Sequence, residues 1–451
     1  MISLDAIEDV RCAVDAVALI GAKVKLRASG ESYFGRCPFH EGRERTFRVY
    51  PAEKRFVCYQ CGARGDVFEF LVRLEGRPFP AVVRELAAGV GVELPKAPLS
   101  AEEKRAREER MALLAACEAA AAHWQNELWG EPGEPARHYL AARGVSEQLA
   151  RSFRLGYAGN KWHDLECALS RSGLTNDVLH AAGLLAAREK PDQERRYYGR
   201  FRQRIVFPIE DAVGRIIGFG GRAIGSESEA KYLNGPETKL YKKARALYGL
   251  HRARDAIWKT GTAILVEGYF DALALHAVGH LETVAVGGTS LTPDHVKLLR
   301  SSGCRKLVLF FDGDEAGARA PAKAGTALLQ AGLSTTVAEL NPTRHGASDP
   351  DALVRRFGKA GVDEVIAHAR PLTEFLIDDA LWRDHRCSGP PSVEQKLRAL
   401  RDLMPFVLAA PEGIVRSTFE KAVARRLAID IGPLRLEIER AAHTHEMGGF
   451  S

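Results

Sequence analysis

The sequence predicts a multidomain α+β protein: an N-terminal zinc ribbon, a mixed α/β region, a parallel α/β unit and a C-terminal helical segment. Three observations predict it. At 451 residues the chain is too long for one ordinary hydrophobic core. Two short unbroken apolar runs, 263–266 and 307–311, stop at carboxylates beside glycine, in Glu267-Gly268 and Asp312-Gly313-Asp314. Such runs are the pattern of strands buried on both faces of a parallel sheet. Finally, Cys37-x-x-His40 and Cys58-x-x-Cys61 stand seventeen residues apart, in metal-ligand spacing.

Residues 1–95 form the zinc ribbon in this reading. The two pairs supply four ligands, the set of a closed tetrahedral site for one structural Zn²⁺. Between them, 46–50 and 55–59 read as strands joined by a turn at 51–54. Arg48, Tyr50, Lys54, Arg55 and Tyr59 then offer cations and stacking rings suited to single-stranded nucleic acid, whereas Phe47 and Phe56 read as core. Eight cysteines over this length make no disulfide scaffold, so Cys12, Cys117, Cys167, Cys304 and Cys387 are expected to be small buried hydrophobes. Prolines at 95 and 98 break the pattern. Ser100-Ala101-Glu102-Glu103 is a capping box, opening a linker helix over 96–111 that grades into alanine-rich helix.

Residues 112–259 mix helix and strand. From Arg195 to Arg254 there are fourteen Lys/Arg against five Asp/Glu, so this segment's surplus of nine exceeds the +6 of the whole chain. That is the footprint of a polyanion partner, although solvated surface charge is the competing reading. The run Gly218-Phe219-Gly220-Gly221-Arg222-Ala223 mimics a dinucleotide fingerprint. No apolar helix follows it, and that reading is rejected.

Residues 260–370 alternate strand and helix. With 272–277 as the crossover helix, Glu267, Asp312 and Asp314 emerge on one sheet edge, where open α/β sheets bind ligands. Three carboxylates gathered there repel one another unless they share a hard divalent cation, Mg²⁺ first. Any one of them alone is equally readable as a helix cap. Beyond Pro371, residues 371–451 are helical, with Ser392-Val393-Glu394-Gln395 as a second capping box. No apolar run approaches about 18 residues and the N-terminus lacks secretory features, so a cytoplasmic protein is expected.

These motifs resemble the bacterial replicative primases (DnaG-like) over nearly the whole chain. The zinc motif continues into Gly62 and Gly65-Asp66. Family core signatures match Arg200-Phe201-Arg202, Phe207-Pro208-Ile209, Gly218 to Arg222, Lys231-Tyr232-Leu233-Asn234 and Leu247-Tyr248-Gly249. The family's Toprim motifs match Glu267-Gly268-Tyr269-x-Asp271, Gly288-Thr289-Ser290, Asp312-Gly313-Asp314 and Asp349-Pro350-Asp351. The resemblance implies a primase that makes short RNA primers on a single-stranded DNA template from ribonucleoside triphosphates, leaving an RNA–DNA hybrid. It implies two or more Mg²⁺ or Mn²⁺ ions on Glu267, Asp312 and Asp314, supported by Asp349, Asp351 and Asp271, with Glu267 a further candidate for general base. Arg200, Arg202, Arg222, Lys231 and Lys243 would hold template or triphosphate, Arg48 and Tyr59 would read the template, and Gly268 and Gly313 would let backbone approach the metals. Single-stranded DNA-binding protein and the replicative helicase are family partners, yet the residues after 437 are too few for the helicase-docking domain. Glu44-Arg45 stands where the family has Thr-Pro. The alternatives are a Toprim nuclease or topoisomerase, and a non-catalytic zinc/Toprim recombination mediator.

Overall fold

A computed structural model describes residues 2, 4–40, 45–92, 94, 100–188, 197–225, 230–382 and 392–447. Glu44, residues 95–98, 195–196 and 226–229, and Cys387, on which parts of the sequence reading rest, lie outside them. The chain divides into two compact units, residues 1–105 and 106–451.

In the first unit, helices Leu4–Ala13 and Ala16–Gly21 precede five antiparallel strands in chain order: β1 (Leu26–Ser29), β2 (Ser32–Gly35), β3 (Phe47–Tyr50), β4 (Arg55–Cys58) and β5 (Arg64–Asp66). Strand alternation sends Phe47, Val49, Phe56 and Cys58 inward. Phe39, Phe47, Phe56 and Phe70 pack with ring centroids from 5.4 to 6.4 Å apart, an apolar core for a sheet this small. Asp66 closes β5 by accepting the Glu69 amide at 3.0 Å and Arg11 Nε at 2.9 Å, which starts the helix Val67–Glu75. The expected turn is present, with Lys54 N–H donating to Pro51 O at 3.1 Å. The Lys54 ammonium, however, donates to the carbonyls of Cys12 (3.1 Å) and Val14 (2.7 Å). It ties the strand turn to the helical segment and is not the outward cation expected.

The second unit begins within the helix Ala101–Trp129, whose capping box is formed: Ser100 N donates to Glu103 Oε2 at 2.9 Å and Glu103 N to Ser100 Oγ at 3.0 Å. An antiparallel sheet has the order β11-β10-β9-β6, from β6 (Gly156–Ala158), β9 (Arg204–Glu210), β10 (Ile216–Ala223) and β11 (Tyr232–Asn234), beside a two-stranded ribbon of β7 (Leu185–Ala187) and β8 (Tyr197–Gly199). The glycines of β10 serve close packing: a Cβ on Gly220 would meet the Tyr269 ring and hydroxyl at 2.5 Å, and one on Gly221 the Phe201 ring at 2.8 Å. This is the physical content of the spurious dinucleotide pattern.

A second sheet has the order β13-β12-β14-β15-β16, with β12 (Thr262–Val266), β13 (Thr283–Ala285), β14 (Lys306–Leu309) and β15 (Ser334–Val337) parallel and β16 (Arg370–Pro371) antiparallel. After β12 the chain crosses to β13 on one side, and after β14 to β15 on the other. The carboxyl ends of β12 and β14 therefore flank a topological switch point, the crevice where such sheets bind ligands. Four helices follow, Leu372–Trp382, Val393–Ala409, Ile414–Leu427 and Ile431–Met447. The second capping box is also formed, Gln395 N donating to Ser392 Oγ at 3.3 Å. Cys117 and Cys304 are buried as expected, but Cys12 and Cys167 are exposed, because one face of each short helix that carries them meets solvent.

Candidate functional site

Two chemically different sites are assembled from the residues singled out above. In the first unit, one atom each from Cys37, His40, Cys58 and Cys61 lies within 4.8 Å of the other three. Cys37 Sγ and Cys61 Sγ are 3.8 Å apart, the separation of two sulfurs each about 2.3 Å from one tetrahedral zinc. His40 Nε2 is buried and without a partner. The Cys₃His set therefore fits Zn²⁺. Burial opposes the Cys58 thiolate, yet the Cys61 and Gln60 amides donate to it and bring the thiol down to about 7. On the same sheet Arg48 Nη1 reaches Ser32 Oγ at 3.4 Å. Tyr59 is 66% exposed, its hydroxyl 2.7 Å from that of Tyr50, over which Arg55 stacks at 4.9 Å.

In the second unit, a cleft of about 290 Å³ opens at the switch point, with Glu267, Asp271, Asp312, Asp349 and Asp351 among its lining residues. Glu267 follows β12 directly. The Asp312 amide donates to Glu267 Oε1 at 3.3 Å, joining the two strand ends. Asp312 Oδ1 is buried with no hydrogen-bond partner. Burial first, then the carboxylates of Asp271, Glu267, Asp349 and Asp314, push the Asp312 carboxyl up to about 8. Asp271 rises to about 7 for the same reason, burial and then Asp349, and burial raises Glu267 as well. Uncompensated buried anions of this kind are what a divalent cation relieves. The carboxylates are more widely spread than the zinc ligands; among the described residues they do not form a set closed to within 4.8 Å.

Individual carboxylates differ in ways that sequence did not show. Asp314 and Asp349 are helix caps, accepting from Gly317 N at 2.8 Å and Ala352 N at 2.7 Å. Capping engages Oδ1 of each; Asp349 Oδ2 also accepts from Ser348 Oγ at 3.0 Å. Asp314 does not line the cleft. Asp351, 2% exposed, pairs with Arg143 and with Arg355 at 3.4 Å, while its Oδ1 has no partner. Asp271 accepts from the amides of Gly268 (3.0 Å) and Asp351 (3.2 Å), locking two acidic loops together. The missing Cβ of both glycines is used in packing: a Cβ on Gly313 would strike Leu340 O at 2.5 Å, and one on Gly268 would strike Asp271 Oδ2 at 2.7 Å.

The basic residues do not form one continuous ridge. Lys231 lines the cleft. Arg222 is buried beneath Tyr232 at 4.8 Å and Tyr139 at 5.9 Å, its Nε and Nη1 without hydrogen-bond partners. Arg202 stacks on Trp162 at 3.2 Å, Arg200 is half-buried with Nε unpartnered, and Lys243 lies in the short turn Lys243–Arg245, outside the cleft lining. Lys239, Lys242, Arg215, Arg245 and Arg252 are in ion pairs with Glu109, Glu237, Asp211, Asp294 and Glu210, so the solvated-charge reading holds for them. Sequence reasoning missed Arg143, stacked at 4.8 Å on Phe270. It also missed the Tyr269 hydroxyl, which donates to Asn234 Oδ1 at 2.6 Å while Asn234 Nδ2 donates to Gly287 O at 2.8 Å.

Three family descriptions match consecutive stretches: a CHC2 zinc finger at residues 2–102, the N-terminal domain of the DNA primase catalytic core at 123–254, and a Toprim-like domain at 264–354. The DNA primase of Myxococcus xanthus is 39% identical over 419 residues, covering 93% of this chain and 66% of the relative. The DNA primase of Halalkalibacterium halodurans is 35% identical over 436 residues, covering 96% of this chain and 70% of the relative. The chain thus spans about two thirds of the length of these relatives. A solved DnaG primase catalytic domain bound to single-stranded DNA superposes with a TM-score of 0.62 at 32% identity, over 72% of this chain and 99% of that one.

Proposed function

This chain belongs to the bacterial DNA primase family, and we propose that it synthesises short RNA primers on single-stranded DNA from ribonucleoside triphosphates, joining them at the cleft between the ends of β12 and β14. The observation that carries this reading is the buried, unpartnered Asp312 oxygen among carboxylates held too basic first by burial and then by one another. Mg²⁺ or Mn²⁺ bound there would orient the triphosphate, lower the pKa of the attacking 3′-hydroxyl and neutralise the pyrophosphate leaving group. Glu267 and Asp312 are the principal ligands, fixed to each other by the Asp312 amide. Asp349 and Asp351 would supply further oxygens from the cleft wall and Asp314, whose charge reaches Asp312, from just outside it, while Asp271 sets the spacing of the loops at 268 and 351 by accepting both amides. Burial raises the Asp351 carboxyl, and the guanidinium groups of Arg143 and Arg355 oppose that rise and orient the group. Lys231, which lines the cleft, is assigned to triphosphate or template phosphates; Arg200, Arg202 and Arg222 are assigned to the template backbone, and Lys243, outside the cleft lining, contributes least.

Residues 1–95 are assigned to template reading, with Arg48 and Tyr59 presenting a cation and a stacking ring; 112–259 and 260–370 are assigned to bond formation, and 96–111 to the connection. Incubation with single-stranded DNA, labelled ribonucleotides and Mg²⁺ or Mn²⁺ tests the proposal. Short labelled RNA supports it. Cut DNA would point to a Toprim nuclease, and a shifted band with neither product to a non-catalytic DNA binder; either result overturns it.

A further inference from the structure

A third constellation lies apart from both sites. His123 and Glu127 are four residues apart on the helix Ala101–Trp129 and so share one face. Asp164, the first residue of the helix Asp164–Ser170, meets them from another rigid element. One ligand atom from each of the three lies within 4.8 Å of the others, and His123 Nε2 is 3.0 Å from Asp164 Oδ2. Donors about 2.1 Å from one ion lie about 3 Å apart when adjacent and about 4.2 Å when opposed, so modest rotamer adjustment closes the set. Charge favours such an ion. The helix carries no Lys or Arg after Arg110, and Glu127, half-buried, has no cationic partner among the described residues. Its charge instead reaches Tyr157, whose hydroxyl it helps to raise after burial. The side chains of His123 and Asp164 keep 17% and 33% exposure, enough for an ion to enter and retain water.

We propose that His123, Glu127 and Asp164 form a further metal site, for a borderline divalent ion such as Zn²⁺, Co²⁺ or Mn²⁺. One imidazole with two carboxylates, and no thiolate, suits these ions better than Mg²⁺. Its role is structural. Next to His123, Trp124 packs edge-on against Phe201 at 5.6 Å and Phe219 at 4.9 Å. An ion joining the two helices therefore stiffens the support of β10 and of the Arg200–Arg204 stretch.

The test uses the full chain with its zinc ribbon loaded and with millimolar Mg²⁺ present to occupy the acidic cleft. Titration calorimetry with Co²⁺ should show one additional equivalent, with a rise in melting temperature. Glu127→Gln keeps the His123–Asp164 pair but removes a ligand, and should weaken Co²⁺ binding by more than about tenfold. His123→Ala should abolish it. Neither change should alter zinc content by elemental analysis. No additional equivalent in the native chain, or undiminished binding by Glu127→Gln and His123→Ala, would leave only an ion pair and overturn the proposal.

Discussion

The Cys₃His set and the acidic cleft both gather candidate metal ligands at strand ends, and they are built in opposite ways. The Cys₃His set is tight, its four donor atoms closed to within 4.8 Å of one another, and four such donors leave no open coordination position. The cleft is spread out, its carboxylates at once capping helices, bonding loop amides and pairing with arginines. A closed site holds a fold together, whereas an open, mutually repelling site keeps coordination positions for reactants. Changes at each site would break or sharpen that contrast.

The largest effect belongs to the closed site. Cys61→Ser should unfold the ribbon, because binding free energy at such sites is largely folding free energy. Circular dichroism and zinc content of residues 1–105 report the loss. Extension of a preformed primer should persist while initiation falls much further; equal losses in both assays would show that the units do not divide the work as described.

Behind the cleft, in β10, Gly220→Ala places a methyl group against the Tyr269 ring and should destabilise the second unit by about 1–3 kcal/mol, read as a denaturant midpoint. An unchanged midpoint would mean that the Tyr269–Asn234 bond does not depend on this close approach. The pH response has a definite sign. The Asp312 and Asp271 carboxyls, raised to about 8 and about 7, bind protons more tightly folded than unfolded. The metal-free unit therefore loses stability as pH climbs from about 4 through 8. A divalent ion replaces those protons, so Mg²⁺ should raise the melting temperature more at pH 8.5 than at pH 6. Equal shifts at both values would count against the raised Asp312 and Asp271 carboxyls as the place where the ion binds.

The smallest effects distinguish the lysines. Lys231→Ala should raise the apparent nucleotide KM or flatten the log–log salt dependence of single-stranded DNA binding by roughly 0.7. Lys243→Ala, outside the cleft lining, should change binding by less than about 0.5 kcal/mol. Fluorescence anisotropy at several salt concentrations, paired with nucleotide titrations, separates them, and equal responses would reinstate a continuous basic ridge.

What was legible in the sequence was whatever a local pattern enforces. Ligand spacing located the ribbon, strand-terminal carboxylates located Glu267 and Asp312, and both capping boxes formed. What was not legible depends on contacts across long stretches of chain. Arg143 meets Asp351 from 208 residues away, and nothing in Ala141-Ala142-Arg143-Gly144 announces it. Side-chain direction was equally hidden: Lys54 looked like a binding cation and instead donates to two carbonyls, and Arg204 looked like part of a ridge but is 2% exposed. The glycines of β10 did carry a signal. Small residues in a buried strand mark close approach, here by Tyr269.

The measurement that tests the central claim most directly is primer synthesis by Asp312→Asn and Glu267→Gln beside their affinity for single-stranded DNA. Both changes keep size and remove one charge. The account predicts synthesis lowered by at least about 10²-fold, weakened Mg²⁺ binding by calorimetry, and DNA affinity near that of the native chain. Near-normal synthesis by either variant would contradict it.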